Sequence, residues 1–546
     1  MAVALGGLAL LLPFEPRVPL ASLLGLRLSL LEAAALAASL VLLVAEGRRL
    51  PRLLGRPPLP LVGLALYAVA QGLSALLAAQ YRGAAARFAL RMAAMAVFAC
   101  LVALAPPRAR RAFLLGLVVA GGAVAALALA EAGGVHTLDP FLDLFREMRF
   151  NVAGAVRVTG GTAYPTLAAV WIGAGLLALV GSLLRARPLL PALLGSLVAA
   201  PALLATYSRG AMAAAGAALL VLAWAARRAV SRRAALAALC AFAVLAAGAL
   251  LQAARREIAR LRLTAENARA WYGAAYQPAA AALELRPGER RTTEVWVRNA
   301  GTLPWTAAGG FSLSYHWFEP GKSPLQDGAR TPLAADLGPG GIQLLRATVV
   351  APARPGCYLL VWDMVQEHTT WFSGQGVAPA NVPVRVGAPA SDCSLLLEPR
   401  APLAWQPGRP ELWRLAVAMW RDHPWTGVGG DNFRRLYGPY AGHSFWDQRV
   451  TANNLYLEAA ATTGLLGLGA LLATLAFTVR CAWRALGRGD GPARAEAATL
   501  LALTAAVALH GAVDYVLGFT GPYLLLGFVV GSAAALAREG AGGEAA

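Results

Sequence analysis

The chain has 546 residues, 58% of them hydrophobic and 14% charged, with a formal net charge of +19. Soluble domains run about 45–50% apolar and about 25% charged, so an ordinary soluble enzyme, a disordered chain and a fibrous protein are excluded in favour of an integral membrane protein. The charge excess does not indicate nucleic acid, because the arginines fall in short loops between apolar runs and form no continuous basic surface.

A bilayer-spanning helix needs about 20 apolar residues. In chain order the candidate spans are about 2–14, 20–45, 58–79, 88–106, 112–131, 163–183, 189–207, 209–226, 234–252, 455–479, 497–516 and 519–537. The first is short, but it lacks a basic leader and runs into Pro13-Phe14-Glu15-Pro16, so it reads as a retained span and not a signal peptide. One alternating set of loops holds Arg48, Arg49, Arg52, Arg56, Arg108, Arg110, Arg111, Arg185, Arg187, Arg227, Arg228, Arg232, Arg233, Arg480, Arg484, Arg488 and Arg494. Against Glu46, Asp490 and Glu496 this set carries +14 of the +19. The positive-inside rule places it in the cytoplasm with both termini. The expected organisation is therefore an N-terminal membrane region at 1–252, an extracytoplasmic linker helix at 253–281 and a β-sandwich at 282–390. An extracytoplasmic loop at 391–454, a C-terminal membrane region at 455–537 and a cytoplasmic tail at 538–546 complete it.

The sandwich reading rests on short alternating runs such as Thr293-Glu294-Val295-Trp296-Val297-Arg298, separated by Gly, Pro and Asn turns. RNAGTLPW (298–305) and GCYLLVWDMVQEHTTWF (356–372) resemble the Ig-like sandwich appended to bacterial carbohydrate-active proteins. Trp305, Trp317, Trp362 and Trp371 are then sugar-stacking candidates, Trp305 and Trp371 foremost, with core packing as the competing reading. Cys357 and Cys393 lie in a compartment that permits a disulfide, although spacing does not fix the pair. No Cys/His cluster or paired carboxylates suggest a metal, so no metal or cofactor is expected.

Three polar segments sit at the outer membrane edge. The first is Thr206-Tyr207-Ser208-Arg209-Gly210, where an arginine at a helix boundary calls for an anionic partner or snorkels. The second is GRPELWRLAVAMWRDHPWTGVGGDNF (408–433), an amphipathic helix broken at Pro424 into a Gly-rich turn whose N–H groups could approach an anion. The third, ANNLYLEAAATTGLLGLGALL (452–472), opens a span. With HGAVDY (510–515), their order and spacing resemble the O-antigen ligase and polymerase superfamily over about 1–252 and 405–537, outside the sandwich.

The resemblance implies a multi-span, metal-independent glycosyltransferase with a glycan on a polyprenyl diphosphate as donor. A glycan, lipid or protein hydroxyl is the acceptor. It implies that Arg209 and Arg409 hold the donor diphosphate, a task suited to a planar, permanently charged fork. Arg157 is a third candidate cation or an ordinary loop charge. The family opens this span with His-Asn, the His being the base, whereas here the pair is Asn453-Asn454, and Asn takes no proton at neutral pH. Three explanations stay open. His443, His423 or Glu458 supplies the base; leaving-group stabilisation by the arginines suffices; or the protein binds glycolipid without catalysis, in polysaccharide export. His510 lies in a span and reads as a packing residue with Asp514 as partner. A secondary transporter is disfavoured, since no internal repeat or pair of broken helices is visible.

Overall fold

The computed structural model describes residues 1–23, 26–146, 150–152, 155–184, 189–229, 232–254, 271–319, 324–367, 370–375, 377–387, 393, 407–442 and 448–542. The N-terminal helices are α1 (Ala2–Leu11), α2 (Leu30–Glu46), α3 (Leu50–Gly55), α4 (Leu59–Leu77), α5 (Arg82–Val102), α6 (Pro107–Ala132) and α7 (Asp139–Leu142). Then come α8 (Pro165–Leu183), α9 (Leu189–Ala205), α10 (Arg209–Ala229) and α11 (Arg232–Ala254). After a β domain follow α12 (Arg409–Asp422), α13 (Phe433–Tyr440), α14 (Leu455–Arg488), α15 (Gly491–Gly511) and α16 (Thr520–Gly542).

Among the described residues, nine helices are long and apolar enough to cross a membrane, by length and composition alone. Three shorter apolar helices, Ala2–Leu11, Leu190–Ala205 and Ala235–Leu251, occupy the places of three expected spans. The chain is thus a polytopic helical bundle with a β domain inserted in it. Several boundaries differ from expectation. The first run is helical only to Leu11 and the second only from Leu30, because 21–28 is a hairpin of β1 (Ala21–Leu23) and β2 (Leu26–Leu28). Ser29 starts α2 with a capping box, its hydroxyl accepting from the Glu32 N–H while Glu32 accepts from the Ser29 N–H. The expected span at 497–516 ends at Gly511, which leaves Asp514 outside the helix.

Helices α6 and α8 approach closely through Gly121 and Gly175, where a Cβ on Gly121 would lie 2.8 Å from the Gly175 Cα. α14 packs along α4, and α10 along α15 and α11. Contacts define two ends of the bundle. At one, Arg110 at the start of α6 pairs with Glu496 at the start of α15 and Glu539 near the end of α16. At the other, the start of α10, the start of α14 and the end of α15 meet.

The β domain contains β5 (Ala274–Pro278), β6 (Leu283–Leu285), β7 (Arg290–Asn299), β8 (Phe311–Phe318), β9 (Pro324–Asp327), β10 (Thr331–Pro332), β11 (Ile342–Val350), β12 (Gly356–Gln366), β13 (Thr370–Trp371) and β14 (Ala380–Val386). β5 falls inside the expected linker helix, so the domain begins earlier in the chain than 282; residues 255–270 of that linker lie outside the described residues. One sheet has the order β11-β7-β5. The other has the order β10-β8-β12-β14-β6, with β9 on β8 and β13 on β12, and only β14–β6 is parallel. Val295, Val297 and Leu345 of the first sheet share one core with Leu313, Leu360 and Trp362 of the second. Cys357 and Cys393 form a disulfide, with Cα atoms 5.6 Å apart.

Trp305 is a correction. It is 0% exposed, exchanges backbone hydrogen bonds with Leu337 and packs edge-on to Phe372, so it has no face for a sugar. Trp317 and Trp362 are core residues too. Trp371 is half-buried, with the Arg330 guanidinium 4.6 Å over its ring and His316 4.1 Å from it.

Candidate active site at one end of the helical bundle

Arg157 stands on β4 (Ala155–Arg157), which pairs with β3 (Phe150–Val152) in a hairpin between α7 and α8. Two anchors hold the hairpin. The Glu131 carboxylate, in the last turn of α6, accepts from the N–H groups of Thr159 (2.7 Å) and Gly160 (3.0 Å). At the end of α9, the Ala205 carbonyl accepts from the Val158 N–H, and the Thr206 carbonyl from Arg157 Nε at 3.0 Å. Glu131 is itself fixed by Arg146, which is 1% exposed and also bonds Asp139 and Asp143. A buried arginine with three carboxylate partners is a rigid support for the residues it ties down.

Arg209 is the first residue of α10 and is exposed. The next residue, Gly210, rests against α15's end, where an added Cβ would lie 3.8 Å from the His510 ring. Arg409 is the exposed first residue of α12 and makes no hydrogen bond or ion pair with a described residue. It nevertheless lies within electrostatic reach of both Arg157 and His510. Burial first, and then the Arg409 cation, lowers the Arg157 guanidinium to about 10, with Asp514 opposing the shift. Arg157 is still charged at neutral pH, so it lies within electrostatic reach of a second cation, Arg409, and of one carboxylate, Asp514. Bringing like charges together is unfavourable unless an anion joins them.

Asn453 has a left-handed backbone, φ 48°, in the turn before α14. Its neighbour Asn454 caps α14, accepting from the N–H groups of Tyr456 and Leu457. The Asn454 amide donates to the Ala512 carbonyl at 2.8 Å, two residues from both His510 and Asp514. The end of α15 is therefore touched by Gly210 and Asn454, the neighbours of Arg209 and Asn453, and its His510 and Asp514 lie within electrostatic reach of Arg409 and Arg157 respectively.

The substitute bases fare differently. His443 lies outside the described residues. His423 is exposed at the end of α12, where its carbonyl accepts from the Gly427 N–H and shapes the turn. Glu458 is 2% exposed and closed by the Ala452 N–H at 2.7 Å, so it serves the turn around Asn453. The sequence reading gave Asp514 as the partner of His510 and did not place it in the site. It leaves α15 beside His510, which is buried, with 3.9 Å between His510 Nε2 and Asp514 Oδ2, so the expected partnership is present. The available signal was Gly511, a helix-stop residue one position past His510.

The Gly-rich turn does not receive an anion at the N–H groups of Val428 and Gly429, because these donate to the Ala461 and Thr462 carbonyls of α14 at 2.9 and 3.0 Å. At Gly464, φ 63° and ψ −161°, α14 is broken. Across the break the Leu465 N–H donates to Pro424 (2.8 Å) and the Leu466 N–H to Trp425 (3.3 Å). The HPWTGVGG and TTGLLGL motifs thus complete each other. Residues 423–429 occupy the break and satisfy backbone groups the helix leaves open.

Residues 355–472 match the family model described as O-antigen ligase. That range runs from β12 to the middle of α14 and includes Arg409 and Asn453; it covers less than half of the chain. No curated protein matches.

Proposed function

We propose that the chain is a membrane glycosyltransferase of surface-polysaccharide assembly, moving a glycan from a polyprenyl diphosphate to an acceptor hydroxyl at the outer face of the cytoplasmic membrane. The observation that carries the reading is that Arg157 lies within electrostatic reach of both Arg409 and Asp514 beside the end of α15. The match to the O-antigen ligase family supports it. In this reading all twelve apolar helices cross or enter the bilayer, the Arg110 end faces the cytoplasm with both termini, and the β domain is an extracytoplasmic Ig-like sandwich.

The acceptor oxygen attacks the anomeric carbon, the bond to the diphosphate oxygen breaks, and the diphosphate leaves with the electron pair. Arg157, Arg409 and Arg209 take up the growing negative charge, in a partly desolvated site where such contacts outweigh their value in water. Asp514 receives the hydroxyl proton, with His510 beside it as relay, which replaces the base that Asn453 cannot be. Asn453 then holds the turn and offers an amide to the acceptor.

The test is release of polyprenyl diphosphate from a lipid-linked glycan by the purified full-length protein in nanodiscs, across candidate acceptors. Arg157→Ala or Arg409→Ala lowers the rate by about 10²–10³-fold, and Asp514→Asn by about 10²–10⁴-fold. Glycolipid binding without release for any acceptor establishes the second reading, a glycolipid-binding export protein, which the loss of the family His at Asn453 favours.

A further inference from the structure

Beside this site is a second feature with no role in the reaction as described. A cavity of about 240 Å³ opens between the end of α1, the start of α8 and the start of α16. Glu15, Arg17, Phe145, Tyr164, Trp171 and Phe519 line it. It is smaller than the roughly 300–1,000 Å³ that whole drug-sized ligands occupy, so it takes one ring or one short segment. It adjoins the arginine cluster through an aromatic wall. Phe150, the cross-strand partner of Arg157, packs on Tyr164 at 5.5 Å, and Tyr164 on Phe519 at 5.6 Å.

The lining decides between ligands. One Glu15 oxygen accepts from the Thr520 hydroxyl at 2.7 Å, and the carboxylate makes no other hydrogen bond with a described residue. A hydrocarbon chain would cover the half-buried Glu15 carboxylate with only its one hydrogen bond made, which is unfavourable, while Arg17 at the mouth stays exposed to water. A phosphate would be repelled by Glu15. A pyranose ring satisfies every surface, its C–H face against the aromatic rings and its hydroxyl edge against Glu15 and Arg17.

We propose that this cavity seats one sugar ring of the acceptor glycan and so fixes which hydroxyl reaches Asp514. The proposal rests on the glycosyl-transfer reading for the word acceptor, but binding is measured without turnover. The probes are the methyl glycosides of glucose, galactose, mannose and N-acetylglucosamine, added to full-length protein in nanodiscs and followed by saturation-transfer NMR. At least one glycoside receives saturation from wild type, and Glu15→Gln weakens its binding at least tenfold. Thr520→Val, which removes the hydroxyl bonded to Glu15 but keeps the carboxylate, stays within threefold of wild type. In the transfer assay Glu15→Gln raises the acceptor KM about tenfold and leaves the donor KM unchanged. Saturation of none of the glycosides, or equal binding by wild type and Glu15→Gln, overturns the sugar seat. Displacement by a short prenol and not by a glycoside overturns it in favour of a lipid pocket. Glycoside binding that needs Glu15, with no release of diphosphate, removes the enzyme reading and keeps the seat.

Discussion

Asn453 stands where the family resemblance expects a His, and its backbone suits either residue. At φ 48° the backbone is in the left-handed region, where Asn, Asp and His are the enriched non-glycine residues. Asn and His therefore exchange at this turn without refolding it, while a β-branched residue does not. Asn453→His is expected to melt within about 3 °C of wild type, an effect under 1 kcal/mol. Its pH–rate profile gains a limb near the ordinary imidazole value of about 6.5. Asn453→Ile loses about 1–2 kcal/mol, read as a lower melting temperature. A rate gain above a hundredfold in Asn453→His would show that Asp514 does not serve as the base. At the same scale, Arg157 was legible in the sequence as a candidate cation or a loop charge. Its placement comes from its bond to the Thr206 carbonyl, 49 residues ahead, and from Glu131, which holds the neighbouring Thr159 and Gly160, and no local pattern connects these.

At the scale of elements, the apolar runs were legible because hydropathy over about 20 residues is a strong signal. Their ends were not. The hairpin at 21–28 is as apolar as a helix and is told apart only by the Ser29/Glu32 capping box, a start signal for α2. β5 is Ala-rich, with weak strand propensity, and is a strand because it pairs with β7. The break in α14 was hidden for a similar reason, since Gly464 among leucines looks like an ordinary membrane-helix glycine. A Cβ on Gly464 would collide with the Trp425 backbone, whereas Gly469 has open space around it. Gly464→Ala is therefore expected to lose folded, monodisperse protein by size-exclusion chromatography. Gly469→Ala, one turn further on, stays within about 1 kcal/mol of wild type. Equal behaviour of the two variants would show that the break does not depend on this glycine.

Over the whole molecule, the two ends of the bundle use charge differently. At the far end Arg110, 1% exposed, bonds Glu496, Glu539 and the Ala105 carbonyl, and so joins α5, α6, α15 and α16. Arg110→Met leaves carboxylates without their cation and should lower stability by about 3–5 kcal/mol. Adding Glu496→Gln and Glu539→Gln should recover most of it in urea unfolding of the detergent-solubilised protein. The other end holds Arg146 on three carboxylates in the same way, but the exposed Arg409 has no ion pair with a described residue. The filled break in α14 has one more consequence, for how deep the molecule rides. Hydrocarbon tolerates no open backbone groups facing lipid, so the junction of residues 423–429 with Gly464 marks a level the acyl chains do not pass. Below it, residues 465–488 make about 36 Å of helix at about 1.5 Å per residue, enough to cross about 30 Å of bilayer core with modest tilt. Trp425, 64% exposed at the same level, is the side chain that interfacial water and head groups hold in place. Together they act as a waterline, and under the proposed glycosyl-transfer reading it keeps Arg157, Arg409 and Asp514 at the height where a membrane-tethered diphosphate would emerge.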